Sequence, residues 1–253
     1  MRLTRVYVST PLTAGTLVEL PPDTASHLAR VLRARSGDPV ILFDGEGREF
    51  AGAIESVRGA RVTASVGEAA SVDRESPLAV TLVQCVPRGD RMDFIVQKAT
   101  ELGVTRIVPV TSQRSVVRLG AGQAESKAAH WRAVAVNACE QCGRNRLPAI
   151  EAPMPLLDYL GAGHSGGLRL VLEPDPAATL GNEAVGSAVE IAIGPEGGFA
   201  GDELEAFRIA GFLRVRLGPR ILRTETAAIV ALTWLQTRFG DMGFGLTAGG
   251  LRA

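Results

Sequence analysis

The sequence predicts two modules in series, a small β-rich unit over residues 1–72 and an α/β domain with a mostly parallel sheet over residues 73–253. Two rhythms and the break between them carry this expectation. In the first stretch, short apolar runs lie between Gly, Asp and Pro, the pattern of strands in a small barrel. From Leu78 onward, strand-like runs alternate with helix-like ones, which argues for parallel strands joined by helical crossovers. The break is Gly67–Pro77 (GEAASVDRESP), polar in the main and closed by Pro, and it reads as a linker.

Taken in order, the first unit should hold strands at Arg5–Val8, Pro39–Phe43, Phe50–Val57 and Arg61–Val66. One helix is expected over Ala25–Arg35, with Leu28, Val31 and Leu32 on one face and Arg30, Arg33 and Arg35 elsewhere. Asp44-Gly45 signals a turn. In the second unit Leu78–Val83 is a buried strand, Arg91–Leu102 a helix stopped by Gly103, and Ile107–Val110 the next strand. Lys127–Glu140 is a helix whose Ala128, Trp131, Ala135 and Ala138 share a face. Leu168–Leu172 and Val189–Ile193 are near-continuous apolar strands. A short helix at Asp202–Ala210 has acids in its first turn and Gly211 at its end. Phe212–Leu217 is a strand, and Thr224–Phe239 is the last helix. There Thr224 can cap the start, and Ala228, Leu232, Leu235 and Phe239 form one apolar stripe.

Bulk properties narrow the class. At 46% hydrophobic and 21% charged, 253 residues can bury a core, which excludes a disordered chain. Met1–Val8 lacks the apolar run of a signal peptide, and no later run approaches membrane-spanning length, so a soluble cytoplasmic protein is expected. Three cysteines, Cys85, Cys139 and Cys142, do not make a disulfide framework. Net charge is zero, but its distribution is uneven. Residues 73–150 carry eleven basic against seven acidic side chains, residues 151–253 eight against twelve, and residues 1–72 eight of each. A positive middle segment can bind phosphate locally without a basic pI.

Three short patterns mislead. Gly161–Gly166 fits G-x-G-x-x-G and Gly163–Gly167 fits G-x-S-x-G, yet both run into a strand, whereas each motif needs a strand before it and a helix after. Cys139-Glu-Gln-Cys142 fits C-x-x-C, but no second cysteine pair or nearby histidine completes four ligands, so no metal is expected. His27, His130 and His164 stand in separate segments with no pattern joining them to a nucleophile.

A stronger constellation lies near the C-terminus, where three loops each leave an expected strand. They are Leu172-Glu173-Pro174, then Gly194-Pro195-Glu196-Gly197-Gly198-Phe199, then the run from Leu217 to Ala227 (LGPRILRTETA). Ligand sites in α/β sheets form outside the carboxyl ends of the strands, so three such loops can converge on one small molecule. Glycines at 194, 197, 198 and 218 would let backbone approach a planar heterocycle. Leu217, Ile221 and Leu222 could form apolar walls.

GPEGGF followed by LGPRILRTETA resembles the C-terminal motifs of the RsmE family of ribosomal RNA small subunit methyltransferases, within the SPOUT superfamily. RGDRMDFIVQKATELGVTRIVPVTSQRSVVRL from Arg88 to Leu119, EQCGRNRLP from Glu140 to Pro148 and HLARVLRARSGD from His27 to Asp38 extend the resemblance over nearly the whole chain. It departs from the family pattern at Cys142 and at Ala200, where serine is common. The resemblance implies a PUA-like RNA-binding barrel followed by a methyltransferase domain with a deep trefoil knot. It also implies a homodimer and the cofactor S-adenosylmethionine. That cofactor would be held by Leu172, Glu173, Gly194, Pro195, Glu196, Gly197, Gly198, Leu217, Gly218, Ile221, Leu222, Arg223, Thr226 and Ala227. The reaction would be methylation of N3 of a uridine in small-subunit (16S) ribosomal RNA.

N3 sits on the Watson–Crick edge of uracil and bears a proton, so the base must be unpaired and the proton removed or its loss compensated. Arg223, Glu140 and Arg144 are candidates for that role, with stabilisation of a uracil anion by arginine preferred. Arg30, Arg33, Arg114, Arg118, Arg144 and Arg146 are candidate RNA contacts. The substrate expected is an assembled or late-precursor small subunit, since shape and unpaired bases dominate RNA recognition. Two other readings remain at this point: a ribose 2′-O-methyltransferase of the same superfamily, and a non-catalytic RNA-binding assembly factor.

Overall fold

The computed structural model describes residues 3–59, 61–117, 120–163, 166–174 and 186–243. Its residues form two compact units, one of residues 1–75 with 133–147, the other of residues 76–132 with 148–253. The boundary expected at 72/73 is a single cut in the sequence, and the first unit reaches across it to claim the later segment.

The first unit holds β1 (Thr4–Tyr7), β2 (Leu17–Glu19), α1 (Pro22–Arg30), β3 (Pro39–Phe43), β4 (Glu49–Arg58) and β5 (Arg61–Ala70). They form one sheet in the order β1-β3-β4-β5-β2, with β1 parallel to β3 and the remaining neighbours antiparallel. On β5, Val62, Ala64 and Val66 point inward in strict alternation. They pack with Val6, Leu42, Phe50, Ile54 and, from α1, Ala25 and Leu28. Pro22 suits the first helical position, where no backbone N–H is needed. The helix is shorter than the sequence suggests. It stops at Arg30, leaving Val31 65% and Leu32 49% exposed, and Arg33 takes a left-handed φ of 51°. The expected apolar face therefore ends at Leu28. Strand β2 has no counterpart among the expected elements, because three residues are too few to show alternation.

The segment 133–147 is tied into this unit by polar contacts. Glu49 Oε2 accepts from Arg5 Nη1 at 2.7 Å and from Arg74 Nη1 at 3.0 Å, and that same Arg74 nitrogen donates to the Gly143 carbonyl at 3.0 Å. Arg5 also donates to the Asn145 side chain, while Asn145 Nδ2 donates to the Val72 carbonyl at 2.9 Å. Burial alone would raise the Glu49 carboxyl, but the two guanidinium groups outweigh it and hold it below its ordinary value.

The second unit holds β6 (Ala79–Cys85), α2 (Arg91–Glu101), β7 (Arg106–Thr111), β8 (Ala149–Ile150), β9 (Met154–Pro155), α4 (Leu156–Gly161), β10 (Leu168–Leu172), β11 (Ala188–Ile193), α5 (Gly201–Ile209), β12 (Leu213–Val215) and α6 (Thr224–Phe239). Helix α3 (Ala121–Cys142) begins in this unit and ends in the first. The sheet order is β12-β10-β11-β6-β7-β8, with β9 also on β7, and every recorded pairing is parallel. Central strands β6, β7 and β11 bury most of their residues, in consecutive runs rather than in alternation, as strands covered on both faces do. Phe199, Phe207 and Phe212 stack edge-on at 4.8 and 5.0 Å between centroids, pinning α5 to the core.

Helix α6 buries Ala228, Ala231, Leu232, Leu235 and Gln236; Phe239 is half-buried beside Trp234. The expected stripe thus ends on a glutamine, which accepts from Ser76 Oγ at 2.6 Å. Among the described residues no helix is long and apolar enough to cross a membrane.

Candidate functional site

The three C-terminal loops do converge. The ends of β10, β11 and β12 and the start of α6 enclose a cleft of about 290 Å³. Of the residues expected there, Leu172, Glu173, Gly194, Pro195, Glu196, Gly198, Leu217, Gly218, Ile221, Leu222, Arg223 and Ala227 line it. Pro174, Ile193, Arg216, Arg220 and Thr224 line it as well. All five sit beside or within the loops, so strand ends rather than glycine content are the better guide.

Two expected residues stand outside the lining. Thr226 is exposed on the first turn of α6. Gly197 turns toward Arg114, whose Nη1 donates to its carbonyl at 3.0 Å, and a Cβ on Gly197 would meet Arg114 Cβ at 3.4 Å. Gly197 and Arg114 therefore brace the loop from its far side. The tightness of the loop comes from its neighbours. A Cβ on Gly194 would lie 3.2 Å from the Phe199 ring, and Gly198 (φ 66°) closes a turn onto the Pro195 carbonyl at 2.9 Å.

The floor is organised by two side chains that periodicity does not reveal. Gln84, fully buried on β6, pairs in register with Ile193 and donates from Nε2 to Thr224 Oγ1 at 2.9 Å. Thr224 in turn donates to the Gly194 carbonyl at 2.8 Å. The second and third loops are thus joined through one hydroxyl. The sequence suggests Thr224 as the cap of α6; it is instead the first helical residue, with Arg223 at the cap position making no side-chain cap bond. Glu203 performs the comparable task on α5, accepting the Ala200 N–H at 2.8 Å and the Gln113 N–H at 2.8 Å. Ala200 thus lacks a capping hydroxyl but keeps the reciprocal half of a capping box.

The walls are chemically mixed. Leu172, Ile193, Leu217, Ile221 and Leu222 are apolar, and Ile221 is 84% exposed. Glu173 is held by Arg214 Nη2 at 3.1 Å, and Glu196 by Arg91 Nη1 at 2.7 Å, with Arg91 Nε 3.9 Å from Glu225. Arg216, Arg220 and Arg223 add positive charge. A bare apolar side chain beside acids and arginines suits a ligand carrying an aromatic ring together with charges of both signs. S-adenosylmethionine, with adenine, ammonium, carboxylate and sulfonium, has that make-up.

Glu140 and Arg144 do not line the cleft. Both belong to the first unit, where Glu140 accepts the Tyr7 N–H at 3.0 Å and Arg144 forks onto Glu75, its closest contact being Nη2 to Oε2 at 2.6 Å. Burial raises the Glu140 carboxyl, against the opposing Tyr7 N–H. Arg144 is buried, so an RNA contact through its guanidinium is replaced by an ion pair. Arg30 and Arg33 are exposed at the end of α1, and the Arg146 guanidinium covers Gly47, whose Cβ would lie 2.8 Å from it. Arg118, His164 and Ser165 lie outside the described residues. Burial pushes the Cys85 thiol up to about 12, and a hydrogen bond with Cys142 together with burial also raises Cys139, so neither is a ready thiolate. Among the described residues no three His, Cys, Asp or Glu side chains are grouped to hold a metal ion.

Comparison with known proteins gives concordant matches. The RNA methyltransferase domain family matches residues 74–236, and the RNA methyltransferase PUA domain family matches residues 20–66. Ribosomal RNA small subunit methyltransferase E of Buchnera aphidicola (Schizaphis graminum strain) is 31% identical, covering 95% of this chain and 98% of its own. That of Bacillus subtilis is 32% identical, covering 83% and 86%. Among solved structures, ribosomal RNA small subunit methyltransferase E of Neisseria gonorrhoeae, bound to S-adenosyl methionine, superposes with a TM-score of 0.88 at 37% identity, covering 96% and 100%. A Legionella pneumophila protein in complex with the bound cofactor SAM reaches 0.91 at 37% identity, with the same coverage.

Proposed function

The chain belongs to the ribosomal RNA small subunit methyltransferase E family, and from that premise we propose that it transfers a methyl group from S-adenosylmethionine to N3 of a uridine in small-subunit ribosomal RNA. The observation that carries the reading is the three-loop cleft, whose walls combine apolar, acidic and basic groups, the kinds of partner this cofactor needs. Leu217, Ile221 and Leu222 would flank the adenine, Glu173 and Glu196 would face the cofactor's hydroxyl and ammonium groups, and Arg216 and Arg220 its carboxylate. Once bound, the cofactor supplies an electrophilic methyl on a sulfonium.

The remaining tasks fall to the protein. It must hold an unpaired uracil in line and compensate the charge left when the N3 proton departs. Arg223 lines the cleft from within the third loop and is the residue assigned to that charge. A carbon–nitrogen bond forms at N3 as the sulfur–carbon bond breaks, and the proton leaves to solvent, giving 3-methyluridine and S-adenosylhomocysteine. A trefoil knot through the cleft loops, pairing of two chains and an assembled small subunit as substrate complete this reading.

The test uses unmethylated small ribosomal subunits. The parent should bind S-adenosylmethionine, sediment near twice 26.6 kDa and yield 3-methyluridine by nucleoside mass spectrometry. Arg223→Ala should lower kcat about 100-fold while cofactor affinity changes far less, the pattern of an interaction made only in the transition state. A methylated ribose in place of the base, or an unaffected kcat, would refute the assignment.

A further inference from the structure

A second cleft, about 600 Å³, opens among the described residues of the same unit, between the β6–α2 connection and the first half of α3. It lies next to the first. Strands β11 and β6 are parallel neighbours, so their carboxyl ends open side by side. Asp90 and Met92 line the second cleft, while Arg91 between them reaches Glu196 of the first at 2.7 Å. The start of α2 therefore lines the second cleft and, through Arg91, contacts a lining residue of the first.

The residues on each side of this cleft differ in kind. Val86, Pro87 and Met92 give it an apolar floor, and Asp90, Ser126 and Lys127 a polar rim. A three-residue brace stiffens one side. Asp93 accepts Trp131 Nε1 at 3.1 Å through one carboxylate oxygen and His130 Nε2 at 2.7 Å through the other. Trp131 is buried, whereas the His130 side chain is 52% exposed. Asp93 is thus engaged at both oxygens, and the cleft gains a planar ring anchored at one nitrogen and open to solvent. Lys127 lies one helical turn before His130 and is exposed.

An apolar floor, an anchored planar ring and a neighbouring ammonium are what an unpaired nucleotide needs for its base and its phosphate. The volume falls within the roughly 300–1,000 Å³ of small-ligand sites. We propose that this second cleft receives an unpaired nucleotide of the RNA strand that carries the methyl acceptor, with its base against His130 and its phosphate at Lys127. The inference rests on the methyltransferase reading above. It gives that reaction a separate place to grip the strand, beside the cleft assigned to the cofactor.

The experiment compares the full-length parent with Lys127→Ala/His130→Ala, measuring affinity for unmethylated small ribosomal subunits at several KCl concentrations and methyl transfer to them. The variant should raise KM for subunits about tenfold or more, since it removes one stacking and one phosphate interaction. Its log-affinity against log-salt slope should shallow by about 0.7–1. Cofactor affinity by calorimetry and kcat should stay within about twofold. Lys127→Arg/His130→Phe keeps a cation and a planar ring, so it should recover most of the RNA affinity. Unchanged KM and salt slope in the alanine variant would overturn the proposal, as would a loss that the second variant leaves unrepaired. A parent that binds subunits but neither the cofactor nor a methyl group would instead defeat the functional reading, and the RNA-binding comparison would still decide the cleft.

Discussion

At Thr224 a single hydroxyl accepts from Gln84 and donates to the Gly194 carbonyl. Valine has nearly the same shape but no hydroxyl, so Thr224→Val would leave a buried amide and a buried carbonyl each short of a partner. The expected cost is about 1–3 kcal/mol of stability, read by chemical denaturation, with weaker cofactor binding because the second loop loses its tie. Thr224→Ser should restore most of both; equal stability for the valine variant would mean the hydroxyl carries nothing. This residue illustrates how sequence reading locates a position without its role. Its place at the head of an apolar helix suggests a cap, but the bond partner comes from β6, 140 residues earlier in the chain. Gln84 itself sits within an apolar strand run, where a lone amide gives no periodic signal. Gly197 shows the converse case: its loop reaches the cleft, but the direction of its missing Cβ is toward Arg114.

Among the elements, long periodic segments are legible in the sequence and short ones are not. Pro39–Phe43, Leu168–Leu172 and Thr224–Phe239 have the bounds that their patterns predict. Among the strands of two or three residues, β2, β8 and β9 carry too little pattern to see, whereas β12 is found because it sits inside the longer strand-like run Phe212–Leu217; α4 is only six residues long. The last half of α3 is helical as its spacing predicts, yet nothing local indicates that residues 133–147 belong with the first unit. That depends on long-range polar contacts whose two carboxyls respond oppositely to pH. Glu49 is held below its ordinary 4.5, so its contribution is present above about that pH and is lost as pH falls through the folded value. Glu49→Gln should therefore be less stable than the parent at neutral pH, by about 1–3 kcal/mol, with the gap shrinking in acid. Glu140 is raised by burial, so its ionisation works against folding as pH rises. Glu140→Gln keeps an acceptor for the Tyr7 N–H and should gain on the parent as pH increases above about 4.5. Denaturation midpoints for the two variants from pH 4 to 8 check both signs, and parallel curves would contradict the assignment of these shifts.

For the molecule as a whole, the question is how a chain of zero net charge holds RNA. The cleft proposed for the cofactor is built wholly from the second unit, while residues 1–72, with balanced charge, resemble an RNA-binding module. Deleting those 72 residues would not isolate their contribution, because residues 133–147 would lose the partners that Arg5, Tyr7, Gly47 and Val72 provide. Substitution in the full chain avoids that. Arg30 and Arg33 are exposed at the end of α1, the latter in a left-handed turn that follows the helix. If they meet phosphate, Arg30→Glu/Arg33→Glu should weaken binding to unmethylated small subunits and shallow the salt slope by about 0.7–0.9 for each phosphate no longer neutralised. Calorimetry should find cofactor affinity unchanged, since no cleft residue is touched. Methylation should fall through KM rather than kcat, because remote interactions position the acceptor without joining the chemistry. Protein-free RNA should lose less than intact subunits if a preshaped RNA surface is what these arginines meet. Wild-type methylation of subunits by this variant would show that the first unit, whatever its resemblance, leaves the gripping of RNA to the second.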